Sequence, residues 1–211
     1  MDIKGLKNLV FDLGGVILTL DREQAVHRFE QIGIKKANEL LDVYHQQGIF
    51  LQLENGELTQ EGFYEALREE AGKYIPNEDV DWAWMGFFVE CPEYKLKMLE
   101  DLRAENFNLY LLSNTNPIIM SWALSPEFTP QGKTLADYFD KLYLSYQMRH
   151  VKPDPSIFEA MIVDSGMVPE ETLFIDDGSA NVQTAQKLGF KTYQPKNGED
   201  FRFLFDNRPR Y

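Results

Sequence analysis

Short runs of apolar residues recur along the chain, and segments with helical spacing separate them. Five runs have strand character, the last more weakly than the others, at residues 8–13, 108–114, 141–145, 172–177 and 191–194. Their apolar positions are continuous rather than alternating, which is typical of strands that are covered on both faces. With helical segments between them, these runs predict an α/β fold built on a parallel sheet.

Helix start and stop signals flank the segments between the strands. Asn116 precedes Pro117, which predicts an N-cap followed by a proline at the first helical position. The segments "DPSIFEAMIVDSG" and "SANVQTAQKLG" close on Gly166 and Gly189, as helices commonly do. These helices are predicted to link successive strands of the sheet.

The interval between the first two strands is much longer than the roughly 10–12 residues that one crossover needs. Residues 20–90 show one helical pattern after another, which predicts an inserted helical lobe. The remaining chain, residues 1–19 and 91–211, is then the core domain. Helical patterns within the lobe cover residues 36–47, 59–71 and 78–88.

Composition narrows the classes of partner. The chain has 211 residues, 44% of them hydrophobic, and a formal net charge of −13. This charge repels phosphate backbones and anionic lipid surfaces, so neither nucleic acid nor a membrane is an expected partner. No apolar stretch approaches the roughly 18–20 residues of a membrane span, and the N-terminus lacks the apolar run of a signal peptide.

Cys91 is the one cysteine of the sequence, so no intrachain disulfide forms. Its expected role is that of a small buried residue rather than a reactive thiol. A reducing, cytoplasmic compartment fits this cysteine usage.

Polar side chains that carry chemistry stand at or just after the ends of the predicted strands. They are Asp12, Ser113, Lys152, Asp176 and Asp177. Because ligands of open parallel sheets bind at the carboxyl ends of the strands, these five groups are expected to converge.

This set suits phosphoryl transfer. The carboxylate of Asp12 is ionised at neutral pH, since its ordinary pKa is about 3.9, and it can attack phosphorus without a base. Several carboxylates beside a phosphate dianion repel one another unless a hard divalent cation is present, and Mg²⁺ is the expected one. Asp176 and Asp177 are candidate holders of the cation. Lys152 supplies further positive charge.

Oxygen atoms of the phosphoryl group also need hydrogen-bond donors. Ser113 and the backbone N–H groups of Asn114 and Gly14 are candidates. Each residue of the set also has an ordinary structural explanation, such as a turn, a strand end or a solvated loop charge. Their occurrence together, each at its own strand end, favours the functional interpretation.

In four motifs the sequence resembles the haloacid dehalogenase superfamily of phosphohydrolases, in particular members with a small helical cap inserted after the first strand. "VFDLGGVIL" resembles the nucleophile motif and "LLSNTN" the serine/threonine motif. "VKPDPSIF" resembles the lysine motif, and "LFIDDGSANVQTAQKLGF" the acidic motif with its helix. The resemblance covers essentially the whole chain. It implies a Rossmann-like core and a cap that closes over the site and selects the substrate.

The resemblance also implies roles for individual residues. Asp12 is then the nucleophile, Ser113 a phosphate ligand and Lys152 the charge clamp. Asp177 is a direct Mg²⁺ ligand, and Asp176 binds the ion directly or through water. Asp12 and the carbonyl oxygen of Gly14 complete the metal set, with Gly14 and Asn114 also facing the phosphate.

Gly14 departs from the pattern of this family. Its phosphatases usually carry a second aspartate two residues after the nucleophile, which protonates the leaving group and then activates water. Because such a group contributes a factor of about 10²–10⁴, leaving groups that are stable as anions are expected to suffer least from its loss. This favours anomeric, acyl and aryl phosphates and pyrophosphate over alkyl monoesters, and it agrees with a resemblance to sugar-1-phosphate phosphatases that have a similar "FDLG" start.

No histidine is an obvious replacement for the missing acid. His150 stands near Lys152, but a surface position is expected for it, and His27 and His45 lie in helical patterns of the lobe. The aromatic stretch of residues 81–88 and Phe50 are expected in the core of the lobe rather than in the site.

Two alternatives to a phosphatase stay open at this point. A 2-haloacid dehalogenase of the same fold needs no proton for its leaving halide, although the acidic pair argues against an enzyme that works without metal. A binding or regulatory protein would retain a phosphorylated ligand without turning it over.

Overall fold

The computed structural model describes residues 5–42 and 46–205 of the chain. Its strands are Asn8–Phe11 (β1), Thr19–Leu20 (β2), Phe88–Glu90 (β3), Asn108–Ser113 (β4), Lys141–Leu144 (β5), Thr172–Ile175 (β6) and Lys191–Tyr193 (β7). Its helices are Arg22–Gln31 (α1), Ala37–Leu40 (α2), Gly48–Glu54 (α3), Gln60–Ala71 (α4), Asn77–Trp84 (α5), Glu93–Ala104 (α6), Pro117–Ala123 (α7), Ser145–Met148 (α8), Pro155–Ser165 (α9) and Ser179–Lys187 (α10).

Parallel strands form the central sheet, in the order β5-β4-β1-β6-β7. All five strands predicted from apolar runs are present in it, so the α/β fold with a parallel sheet is confirmed. Every residue of β1 and β6 is buried, which explains their continuous apolar sequence. Phe11 is in register with Leu111 and Ile175, so Asp12 and Asp176 leave the sheet side by side.

Helix capping follows the sequence signals. The Asn116 side chain accepts hydrogen bonds from the N–H groups of Ile118 and Ile119 at the start of α7. Helix α9 ends on Gly166 in the left-handed conformation. In the described part of the chain, no helix combines the length and the apolar composition that crossing a membrane requires.

Helices α1 to α5 pack around an apolar cluster of their own. At its centre are the rings of Phe29, Phe50, Phe63 and Trp84, and the centroids of rings in contact lie 5.0 to 6.0 Å apart. Ile118 and Ile119 of α7 join this cluster from the core side. We call these five helices, together with the segments that join them and the stretch from Met85 to Phe88, the cap. The residue boundaries of the inserted lobe, 20 and 90, stay a prediction.

A short antiparallel ribbon, β2 paired with β3, carries the chain into the cap and back. The sequence did not predict it, because strands of two and three residues leave no detectable pattern. Thr19 lies opposite Glu90, and Leu20 lies opposite Phe88.

One predicted helix is much shorter than expected. The pattern over residues 36–47 predicted a continuous helix, but α2 ends at Leu40, and Leu41 is extended at φ −94° and ψ 123°. The Gln46 side chain explains the break, since it hydrogen-bonds both the N–H and the carbonyl of Asp42 in place of helical partners. His45 lies outside the described residues.

Candidate active site

The carboxyl ends of the central strands bring the predicted site residues together. Asp12 follows β1, Ser113 ends β4, and Asp176 and Asp177 follow β6, while Lys152 lies in the loop before α9. All but Asp176 line one cavity between the sheet edge and the cap, and Asp176 lies directly behind Lys152. Gly14 and Asn114 line the same cavity. The predicted convergence is therefore present in the structure.

Lys152 is the buried centre of the charge network. Its Nζ lies 2.9 Å from Asp12 Oδ1 and 2.7 Å from Asp176 Oδ2, and it donates to the Leu112 carbonyl at 2.9 Å. Burial by itself lowers the pKa of this ammonium, but the two carboxylates outweigh that effect and the net pKa is raised. The lysine therefore keeps its positive charge beside Asp12.

Asp176 is fully engaged by protein donors. Besides Lys152, its carboxylate accepts hydrogen bonds from the Gly178 N–H at 2.8 Å and the Asn181 side chain at 2.9 Å. Asn181 is a site residue that the sequence analysis missed. The only signal for it was a polar side chain in the first turn of the helix after the acidic pair.

Asp177 is engaged differently from its neighbour. Its Oδ2 atom is buried and has no hydrogen-bond partner among the described residues. Oxygen atoms of Asp12, Asp176 and Asp177 all lie within 4.8 Å of one another. Three clustered carboxylates with one unpartnered oxygen fit a hard divalent cation, since otherwise they repel each other in a poorly hydrated site.

The carboxylates of Asp12 and Asp177 have raised pKa values without a cation. Burial is the main cause at Asp12 and raises its pKa to about 7, with Asp176 and Asp177 adding to the effect and Lys152 opposing it. The pKa of Asp177 is raised to about 6. Burial is again the main cause, and the nearby Asp176 carboxylate adds to the increase. A bound cation stabilises the ionised forms of both groups.

Asn114 holds the lysine loop against the end of β4. Its side chain donates to the Lys152 carbonyl at 2.9 Å and accepts from the Lys152 N–H at 2.8 Å. Ser113 is buried, and its hydroxyl makes one long contact of 3.3 Å to the Asn114 carbonyl. The Ser113 hydroxyl therefore remains available to a ligand.

The cap contributes the opposite wall of the cavity, through Gln46, Glu54, Trp84, Phe87 and Phe88. The aromatic stretch of residues 81–88 was expected to lie outside the site, but three of its residues border the cavity. Trp84 packs in the core of the cap, as predicted, but the same ring also borders the cavity, because a side chain at the edge of a core has two faces. Glu54 had no signal in the sequence.

The histidines stay away from the reaction centre where the structure describes them. His150 is exposed and does not line the cavity. His27 is exposed on α1 and contacts Gln31. Neither is placed to replace an acid at Gly14.

Comparison with protein families gives a match over most of the chain. The profile of the haloacid dehalogenase-like hydrolases matches residues 6–189. The chain belongs to this family. The resemblance inferred from the four motifs is thereby confirmed.

Individual members of the haloacid dehalogenase-like hydrolases are also similar over nearly their full length. D-ribitol-5-phosphate phosphatase of Bacteroides thetaiotaomicron is 51% identical over 93% of this chain and 95% of its own. A predicted member from Porphyromonas gingivalis has a TM-score of 0.91 at 46% identity, covering 96% and 99% of the two chains. An Asp12→Ala mutant of an enzyme from B. thetaiotaomicron, solved with magnesium and inorganic phosphate, has a TM-score of 0.90 at 44% identity, covering 96% and 100%.

Proposed function

We propose that this protein is a Mg²⁺-dependent phosphatase that hydrolyses a small phosphorylated metabolite through an aspartyl-phosphate intermediate on Asp12. One observation carries the proposal: the carboxylate cluster of Asp12, Asp176 and Asp177 lies at a strand edge with the Lys152 ammonium 2.9 Å from Asp12 Oδ1. The relatives support it, since one is a sugar alcohol phosphate phosphatase and another binds magnesium and phosphate.

Asp12 is held in one orientation for attack on phosphorus. Its Oδ1 accepts a hydrogen bond from the Leu13 N–H at 2.7 Å, in addition to the contact with Lys152. A carboxylate fixed in this way needs little reorganisation to reach the reactive geometry. We therefore assign Asp12 as the nucleophile and Lys152 as the charge clamp.

The residues of the acidic cluster fit the metal ion. Asp177 is proposed as a direct ligand because its Oδ2 has no partner in the described part of the chain, and Asp12 and the Gly14 carbonyl are proposed as two more. Asp176 binds directly or through water, while its contacts to Lys152 and Asn181 orient it. When bound, Mg²⁺ neutralises the repulsion between these carboxylates and the phosphoryl group.

Donors on the core side are proposed to bind the phosphoryl oxygens. These donors are the Ser113 hydroxyl, the backbone N–H groups of Gly14 and Asn114, and Lys152. All four residues line the cavity next to Asp12. Fixed donors of this kind stabilise the charge that develops in the transition state.

The cavity supports a polyhydroxylated substrate. Trp84 and Thr115 line it, and the indole N–H and the hydroxyl of these residues are buried without a partner among the described residues. Hydroxyl groups of a sugar or sugar alcohol would satisfy both. D-ribitol 5-phosphate, the substrate named for the 51% identical relative, is an ester of a primary alcohol. We propose a substrate of this class, which runs against the preference for good leaving groups predicted from Gly14.

A reducing cytoplasm is the proposed compartment. Cys91 is half-buried, and burial raises the pKa of its thiol to about 11, so it is protonated at neutral pH. An inert lone thiol fits this setting.

The test is phosphate release by the purified protein with Mg²⁺ and with EDTA. The substrates are D-ribitol 5-phosphate, D-ribose 5-phosphate, an anomeric sugar phosphate, acetyl phosphate, p-nitrophenyl phosphate and pyrophosphate. We expect Mg²⁺-dependent release, highest for the sugar alcohol and sugar 5-phosphates. A ranking led by anomeric and acyl phosphates would restore the leaving-group preference instead.

Two outcomes would overturn the proposed phosphatase function. Chloride release from 2-chloropropionate that persists in EDTA would make the protein a dehalogenase. Stabilisation by Mg²⁺ and phosphate without turnover of any substrate would make it a binding protein.

A further inference from the structure

A sugar or sugar alcohol phosphate leaves as an alkoxide, and this oxygen needs a proton as the P–O bond breaks. Gly14 provides no acid at the usual position. A Cβ atom there would lie 2.8 Å from Leu20 Cδ1, because the β2 side chain occupies that space. If such substrates are turned over, the proton must come from another part of the cavity.

Glu54, the last residue of α3, is a buried acid in the same cavity. Its exposure is only 6%, and it lines the wall opposite Asp12, Gly14 and Lys152. It is not a member of the carboxylate cluster. Within residues 5–42 and 46–205, no hydrogen bond or ion pair engages its carboxyl group. A largely buried carboxyl that no described residue pairs with is unusual, so its presence calls for a functional explanation.

Two features of the cap hold Glu54 in place. Phe50, one helical turn earlier on the same face of α3, is fixed by edge contacts with Phe29 and Phe63. Beyond Glu54, the turn at Gly56 lies against the core: a Cβ atom on this glycine would be 2.2 Å from the Tyr146 carbonyl oxygen. The carboxyl group is therefore carried to the active site by a rigid helix end that touches the core domain.

Charge and burial at this position favour a protonated carboxyl near neutral pH. Burial is the main cause and raises the pKa of Glu54 to about 8; the Asp12 carboxylate adds to the increase, and Lys152 opposes it. A protonated side chain is the state that a general acid requires before the first step.

We propose that Glu54 is the catalytic general acid and base that replaces the missing aspartate, and this proposal rests on the phosphatase function above. In the first step an Asp12 oxygen forms a bond to phosphorus, the bond from phosphorus to the leaving oxygen breaks, and that oxygen takes the proton of Glu54. The products are the alcohol, the aspartyl phosphate and a Glu54 carboxylate.

The second step restores the enzyme. Water attacks the phosphorus atom and gives a proton to the Glu54 carboxylate. The bond from phosphorus to Asp12 breaks, and its electron pair returns to the Asp12 carboxylate. Inorganic phosphate leaves, and Glu54 is protonated again. The cap thus supplies a reacting group, and alkyl phosphates of sugars and sugar alcohols become competent substrates.

The test compares the first turnover of two substrates in the wild type and in Glu54→Gln. With D-ribitol 5-phosphate the variant is expected to lose about 10²–10⁴-fold in rate, because the alkoxide receives no proton. With p-nitrophenyl phosphate the first turnover stays near the wild-type rate, since nitrophenolate leaves as an anion. The lost base then slows the second step, so nitrophenol appears as a burst of one equivalent followed by slow release.

Controls separate catalysis from folding. Glu65→Gln makes the same change at an exposed residue of α4 and should leave both rates unchanged. If Glu54→Gln fails to fold, Glu54→Ala takes its place. Partial recovery of the alkyl reaction is then expected with added formate in mildly acidic buffer, where part of the formate carries a proton.

Three results would overturn the proposal. They are an equal fall in the first turnover of both substrates, no fall in either, and a failure of formate to restore the alanine variant. A wild-type protein that is inactive on every substrate would instead overturn the phosphatase function itself.

Discussion

Gly15 is the residue whose missing side chain makes room for the metal site. Its φ is +71°, a conformation that other residues rarely adopt, and a Cβ atom on it would lie 2.1 Å from Asp177 Oδ2. Backbone and carboxylate are therefore packed as closely as their atoms allow. Any side chain at this position has to displace the proposed metal ligand.

We expect Gly15→Ala to weaken Mg²⁺ binding and to lower phosphatase activity by at least about tenfold, because the displaced ligand loses its geometry. Gly132→Ala is the matched control, since Gly132 also has a positive φ, +76°, but open space around it. Mg²⁺ titrations followed by thermal unfolding measure the effect. Equal Mg²⁺ affinity in the two variants would show that only backbone strain matters at Gly15.

Glu54 also makes stability depend on pH. Its pKa is about 8 in the folded protein and 4.5 ordinarily, so the folded state binds more protons between these values. The free energy of unfolding therefore falls as the pH rises from about 4.5 to about 8. Below this window the group has no effect, and above it the full cost of burying the charge is present.

Glu54→Gln removes this contribution. In EDTA, the Tm of the variant minus that of the wild type should increase from pH 5 to pH 9. Glu65→Gln, with its exposed site, should follow the wild type throughout. Parallel curves for Glu54→Gln and the wild type would mean that Glu54 is not buried as described.

At the scale of elements, the active site depends on the junction between β4 and the lysine loop. Asn114 makes both of its side-chain hydrogen bonds to the backbone of Lys152. The loop has no strand pairing of its own at this point, so these two bonds anchor the Lys152 backbone, while Leu112 and Asp176 hold its ammonium group. The side chain acts as a structural link, while its backbone N–H stays a proposed phosphate donor.

Asn114→Ala is expected to lower the free energy of unfolding by about 1–3 kcal/mol, the usual cost of losing part-buried hydrogen bonds. It should also lower kcat by about tenfold or more, because Lys152 is no longer held against Asp12. Asn108→Ala, at the far end of the same strand, removes a hydrogen bond with Asn8 and is the control. A kcat as high in Asn114→Ala as in Asn108→Ala would refute the link.

For the whole molecule, the sequence predicted the central sheet and those site residues that lie at the ends of its strands. Strands such as β1 and β6 are covered on both faces, and this burial leaves a continuous apolar run that can be read locally. Asp12 and Asp176 follow these strands directly, so their convergence follows from the rule for parallel sheets.

The cap half of the site was not predictable in the same way. Glu54 stands on a helix of seven residues, and its burial depends on contacts with α8 and on the aromatic cluster of the cap. Such contacts join distant parts of the chain and leave no local period. Trp84 was predicted to lie in the core only. The spacing of apolar residues along a helix indicates which side chains are buried, but not which of them also border a cavity.

The central claim is that Asp12 is the nucleophile of a Mg²⁺-dependent phosphatase, and its most direct test is phosphate release from D-ribitol 5-phosphate by the wild type and by Asp12→Asn. We expect the variant to lose about 10³-fold or more in kcat, as removal of a nucleophile does. Mg²⁺ with inorganic phosphate should still raise its Tm, which shows an intact site. An Asp12→Asn protein that retains activity within about tenfold of the wild type would contradict the account.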